Sequence, residues 1–131
     1  MNLSIKKMSP VWVIISHSCI IICGDKMCGL YGMSFIFGLF FMEYWLISIP
    51  TFIGVLFLGR EVIFPKKYSF RNRLIGLFLM YAGFIAYFLR PDASYNYSTL
   101  TLLVPQISIG LFVITSIIFL FATLQRKNQP S

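Results

Sequence analysis

Apolar and polar residues fall along the chain in four long blocks, and the blocks predict four membrane-spanning helices. The hydrocarbon core of a bilayer is ~30 Å thick, so a spanning helix needs about 17–25 mostly apolar residues. Residues 10–24 form the first block, with Ser9 as N-cap and Pro10 at the first helical position, where a missing N–H costs nothing. The second covers 30–59, entered through Cys28 and Gly29, and carries one charge, Glu43. A straight helix of about 30 residues at ~1.5 Å each would measure about 45 Å. That block must therefore tilt, lie partly in the interface around Gly29 to Phe37, or bend at Pro50. The third and fourth blocks, 74–89 and 99–124, are bounded by Arg73, Arg90, Arg126 and Lys127, whose long side chains can snorkel to headgroups. The expected fold is all-α integral membrane: one domain over 1–131, four helices as two antiparallel hairpins. Splitting the second block at Glu43, Tyr44 and Trp45 would give five spans, but no turn chemistry marks a break there, and we set that version aside.

Composition agrees with this pattern. The 131 residues are 58% apolar and 11% charged, against about 45–50% and about 25% in ordinary soluble domains. Charge then supplies orientation. The formal net charge is +7, and four spans place Lys6, Lys7, Arg60, Lys66, Lys67, Arg71, Arg73, Arg126 and Lys127 on one side, with Lys26 and Arg90 on the other. Positive charge is retained in the cytoplasm, so both termini and a basic loop over 60–73 are expected inside, in a bacterial cytoplasmic membrane. The loop would attract anionic lipid headgroups, at ~1 kcal/mol per basic residue; that account leaves no need for nucleic acid. Lys6 and Lys7 before an apolar run also fit a signal peptide, but no small-x-small cleavage triplet follows, and the first block is read as mature structure.

Helices in lipid gain little from burying apolar surface against one another, so small residues mark their contacts. Thr101, Ser108, Thr115 and Ala122 recur every seven residues in the fourth block. Gly76 and Gly83 share that spacing in the third, and Ala82 with Ala86 forms a small-xxx-small pair. Antiparallel packing of the third block on the fourth is the expected result. Most of the 14 Phe fall mid-span, while Trp12, Tyr68, Tyr87, Tyr95 and Tyr97 sit near boundaries, where amphipathic rings favour headgroups.

Residues with candidate chemistry are few. An acidic group within a span is a functional hypothesis by default, and Glu43 would share a helix face with Ile47, Pro50 and Gly54. It either titrates in a cleft or reaches the outer interface beside Tyr44 and Trp45. His17, the sole histidine, is either a proton relay or, as expected of an intramembrane polar group, hydrogen-bonded to a neighbouring helix. Cys19, Cys23 and Cys28, with Met27 and Met33 nearby, lack a usual metal-ligand spacing. They read as small buried hydrophobes, with a disulfide between Cys23 and Cys28 as the alternative in an oxidising compartment. No paired carboxylates and no Ser/His/Asp set appear, so neither a catalytic site nor a cofactor is expected.

The leading expectation is a small, non-enzymatic multi-pass protein that contacts another membrane protein, or itself, within the bilayer, as an accessory or immunity-type subunit would. Two alternatives stand beside it: an oligomeric transporter or flippase using Glu43, and a membrane enzyme using His17 or Asp92, Ser94 and Tyr95. Small multidrug exporters share this overall organisation but carry an acidic residue in the first span, which is absent here.

Overall fold

The computed structural model describes residues 8–23, 28–64, 69–90 and 98–127. These residues are mostly helical: α1 (Pro10–Ser18), α2 (Tyr31–Gly38), α3 (Trp45–Ile63), α4 (Phe70–Phe88), a single turn α5 (Ser98–Thr101) and α6 (Leu103–Lys127). A two-stranded antiparallel hairpin, β1 (Ile21–Cys23) and β2 (Cys28–Leu30), lies between α1 and α2. Two segments, Met42–Ile63 and Leu103–Arg126, are long and apolar enough to cross a membrane. Helix α4 is as long as α3 but opens with Arg71, Asn72 and Arg73.

The helix expected over 10–24 is shorter in this architecture. Ser9 caps α1 as expected, its hydroxyl accepting the Val11 N–H at 3.3 Å. The helix then ends after nine residues, and the chain continues as β1. Its backbone needs partners, because an unpaired N–H or C=O away from water costs as much as a lost hydrogen bond. β2 pairs with one edge, and hydroxyls serve the rest. Ile21 N–H donates to Ser108 Oγ at 3.0 Å. Cys23 N–H donates to Thr99 Oγ1 at 2.9 Å, and that hydroxyl donates back to the Cys23 carbonyl at 3.0 Å.

Cys23 and Cys28, a directly opposed pair in the hairpin, form a disulfide, and Cys19 is free and exposed. The alternative is thus the observed state, and Cys23 and Cys28 are not simply small hydrophobes. Two consequences can be measured. Alkylation of denatured, unreduced protein should add one label and of reduced protein three. Cys23→Ser should lower stability by about 2 kcal/mol, the chain-entropy value for so short a loop; an unchanged midpoint on denaturant unfolding would show that the clasp holds nothing.

The second expected span is broken, although not at Pro50, which lies inside α3. α2 tightens through i→i+3 bonds from Leu39, Phe40 and Phe41 to Ile36, Phe37 and Gly38. Phe41 is extended, and a 3₁₀ turn over Met42–Tyr44 leads into α3. Trp45 supplies the turn chemistry that the sequence hid: its indole N–H donates to the Leu39 carbonyl at 3.2 Å. The break falls where the five-span version put it, and α2 on its near side has eight residues.

α3 and α4 make the most extensive contact in the fold. They run antiparallel, Gly76 lying against Leu58 and Gly54, and Gly83 against Thr51 and Ile47. Gly76 and Gly83 therefore face the second block rather than the fourth, contrary to expectation. The connection between these helices is also shorter than expected, since Arg60 and Glu61 belong to α3, and Arg71 and Arg73 to α4, which Ser69 caps.

α6 packs chiefly on α1, and its buried face is set by Pro105, Phe112, Ser116, Phe119, Ala122 and Thr123. The expected stripe lies at the edge of that face. Ala122 is buried, Ser108 holds β1, Thr115 returns its hydroxyl to the Leu111 carbonyl at 2.6 Å, and Thr101 is exposed. Ala82 and Ala86 are half-buried. The α5–α6 junction, forced by Pro105, is bridged by Gln106, whose side-chain amide donates to the Leu100 carbonyl at 2.6 Å.

Candidate functional site

Charge is concentrated at one end of the helices. Glu61 near the end of α3 and Arg73 in the first turn of α4 are 9% and 3% exposed and form a bidentate pair. Arg73 Nε donates to Glu61 Oε2 at 2.7 Å, and Nη2 donates to Oε1. Its third nitrogen, Nη1, donates to Thr123 Oγ1 on α6 at 3.2 Å, and the guanidinium carbon stands 4.9 Å from the centre of the Phe119 ring. Arg126 Nη1 lies 3.8 Å from Glu61 Oε1. The guanidinium thus ties together three helices by a planar fork that an ammonium could not reproduce. A cavity of about 190 Å³ beside it is lined by Met8, Ser9, Pro10, Glu61, Val62, Arg73 and Arg126, which brings the start of α1 to the same end. Arg73 was expected only as a boundary and loop charge. The available signal was Glu61 itself, a single carboxylate among basic residues, with Arg73 twelve positions on.

A second constellation surrounds His17, which is fully buried. Its ring stands 5.1 Å from Tyr31, 4.9 Å from Phe112, 6.1 Å from Phe35 and 6.5 Å from Phe84, centroid to centroid. Neither nitrogen makes a regular hydrogen bond, and the nearest polar influence on the ring is the Met80 backbone of α4. The expected regular side-chain bond to a neighbouring helix is not formed, and what receives the imidazole of α1 is an aromatic box built from α2, α4 and α6. Tyr31 extends the box, its hydroxyl 3.4 Å from Thr51 Oγ1 and its ring edge-on to Tyr87 at 5.7 Å. Tyr87 is half-buried, and Trp12 is 60% exposed.

Glu43 sits on the exposed 3₁₀ turn, outside α3. It does not share a helix face with the buried Ile47 and Gly54, and it is not brought together with His17. Asp92, Ser94 and Tyr95, and the boundary rings Tyr68 and Tyr97, lie outside the described residues. Among the described residues no group of His, Cys, Asp and Glu could hold a metal ion. Ser48 is a further buried hydroxyl with no partner, packed against Gly38 where any side chain would collide with it.

Above Gly38 opens an apolar groove of about 460 Å³, between β2, α2, the 3₁₀ turn and α4. Leu30, Met33, Phe37 and Phe41 form most of its wall, with Ser34, Tyr44 and Tyr87 as polar points. Arg90, which does not line the groove, stacks on Tyr44 with its guanidinium carbon 4.2 Å from the ring centre.

No protein-family model matches the chain, and no curated protein or solved structure resembles it at a significant level. The molecule is defined by its own features: a mostly helical chain with two helices of membrane-spanning length and polar groups turned inward.

Proposed function

We propose that this is a small multi-pass protein of the bacterial cytoplasmic membrane that acts without catalysis. It works through intramembrane helix contacts with another membrane protein, in an accessory or immunity-type role. The observation that carries the reading is the outward face of α6. Leu103, Val104, Ile107, Leu111, Ile114 and Phe121 are exposed along the whole helix, while the hydroxyls of Ser108, Ser116 and Thr123 are turned inward and bonded. A continuous apolar face of this length suits lipid or a helix of another chain, not water.

Four passes with both termini inside remain the proposed topology. The first pass would be α1 followed by extended chain to Cys23: about 14 Å of helix and about 13 Å of near-extended backbone, close to the ~30 Å core. β2 and α2 would then form a re-entrant excursion that returns to the same side, which membranes tolerate where the irregular backbone is buried in protein. Glu43 stands exposed on its turn and not in a cleft, which favours this reading over a proton-coupled transporter.

The test has two arms. The protein should resist carbonate extraction, and reporter fusions should place both termini in the cytoplasm; release into the soluble fraction would remove the membrane reading. Photo-crosslinking residues at successive positions 107–118 should then give one protein adduct with helical periodicity. Adducts at every position alike, or at none, would sink the partner contact.

A further inference from the structure

We propose that the Cys23–Cys28 disulfide is a redox-controlled clasp on β2, opened by a dithiol and not by a monothiol. The two strands of the hairpin are held in different ways. β1 is fixed to the body at Ile21 by Ser108 and at Cys23 by Thr99, whose hydroxyl accepts the Cys23 N–H and donates to the Cys23 carbonyl. β2 stands outside: Cys28, Gly29 and Leu30 are all exposed, and nothing lies within 4 Å of where a Gly29 Cβ would stand. Its far end is secured where the Tyr31 N–H donates to the Ile20 carbonyl at 2.8 Å and the Tyr31 side chain is fully buried. Its near end is tied to β1 by the disulfide, across the directly opposed pair. Without that bond residues 28–30 keep only a three-residue ladder, and an isolated two-stranded hairpin is marginally stable at best. Gly29 and Leu30 line the apolar groove, so release of β2 swings part of that wall outward about Tyr31. α2 stays in place, because Tyr31, Gly32, Phe35 and Gly38 are buried against the body.

The same asymmetry selects the reductant. Cys23 is 2% exposed and Cys28 is exposed, so an incoming thiolate reaches the Cys28 sulfur. A bond forms to Cys28 Sγ, the S–S bond breaks, and Cys23 Sγ leaves with the electron pair and takes a proton. Thr99 keeps Cys23 beside the mixed disulfide, where its thiol expels a monothiol and closes the clasp again. A neighbour held in place acts at an effective concentration that a dissolved thiol does not match. A dithiol escapes this reversal. Its second thiol attacks the reagent's own sulfur in the mixed disulfide, which releases Cys28 as a thiol and closes a disulfide within the reagent. Two electrons and two protons pass from the dithiol to the protein.

The inference needs neither the membrane reading nor a partner protein. It is tested on the purified full chain in detergent, by hydrogen exchange read by mass spectrometry. Untreated protein is compared with protein in dithiothreitol and in reduced glutathione at equal thiol concentration. Dithiothreitol should speed exchange over residues 28–30 about 30-fold, the equivalent of ~2 kcal/mol of loop closure at ~1.4 kcal/mol per decade. Residues 21–23, α2 and α6 should exchange as before, and glutathione should leave the untreated pattern. Cys28→Ser should reproduce the dithiothreitol pattern without any reductant; reduced and alkylated wild type supplies the same reading should that variant misfold. Equal opening by the two reagents would overturn the choice of a dithiol. Unchanged exchange over 28–30 in fully reduced protein would mean that the ladder alone holds β2. Acceleration spread through α3, α4 and α6 would mean that reduction unfolds the molecule, and either of these results overturns the clasp.

Discussion

Arg73→Leu is expected to destabilise the fold by about 3–5 kcal/mol, the usual result of leaving one member of a buried ion pair without its partner. That lowers the ratio of folded to unfolded protein by upwards of ~100-fold, at ~1.4 kcal/mol per decade. Glu61 would be stranded at 9% exposure with, among the described residues, Arg126 at 3.8 Å to offset its charge. Arg73→Lys should recover part of the loss, since an ammonium can face the carboxylate but cannot also reach Thr123 with the same planar geometry. The decisive comparison is the double variant Glu61→Leu with Arg73→Met. Removing both charges together should leave stability within ~1 kcal/mol of wild type or raise it, because the desolvation penalty of both ions disappears with their attraction. Thermal unfolding in detergent, followed by tryptophan fluorescence, measures all three. A single variant as stable as wild type would mean that water reaches the pair.

Gly83→Ala should be the most damaging single-methyl change, at about 2–3 kcal/mol. The added Cβ would overlap Thr51 Oγ1, approach the Ile47 carbonyl to 2.7 Å and the Thr51 nitrogen to 3.1 Å. Two of those three are backbone atoms of α3, so rotating a side chain cannot relieve the clash and the helices must separate. The same methyl has the opposite sign elsewhere. At Gly59 and Gly110 nothing lies within 4 Å, and alanine there should stabilise by about 0.5–1 kcal/mol through restricted backbone freedom. A set of three alanine variants with that pattern of signs would verify the α3–α4 crossing at residue resolution; a tolerated Gly83→Ala would refute it.

Much of the helical content was legible in the sequence because it rests on long apolar blocks. α3, α4 and α6 emerged from that pattern, as did the N-cap at Ser9. The errors arose where backbone hydrogen bonding depends on distant residues. Nothing local announces that residues 21–23 leave the helix, since the hydroxyls that serve them are Thr99 and Ser108, more than 75 positions away. The break at 39–44 relies on an indole six residues ahead. The glycines of α4 were recognised as contact residues, but their spacing is silent about which helix they meet. Arg73 reads in the sequence only as a boundary and topology charge, although a twelve-residue separation between the end of one helix and the start of the next can place it opposite Glu61. Their pairing needs Phe119 and Thr123 of α6 as well, which no local pattern links to them.

The order of assembly follows from the lengths of the first two helices. Isolated helices shorter than ~12–15 residues are marginal in water, and α1 and α2 have nine and eight. α1 leans on α3 and α6, and β1 takes its hydrogen bonds from Thr99 and Ser108. Residues 10–23 and 28–38 thus depend for their partners on helices that are synthesised after them.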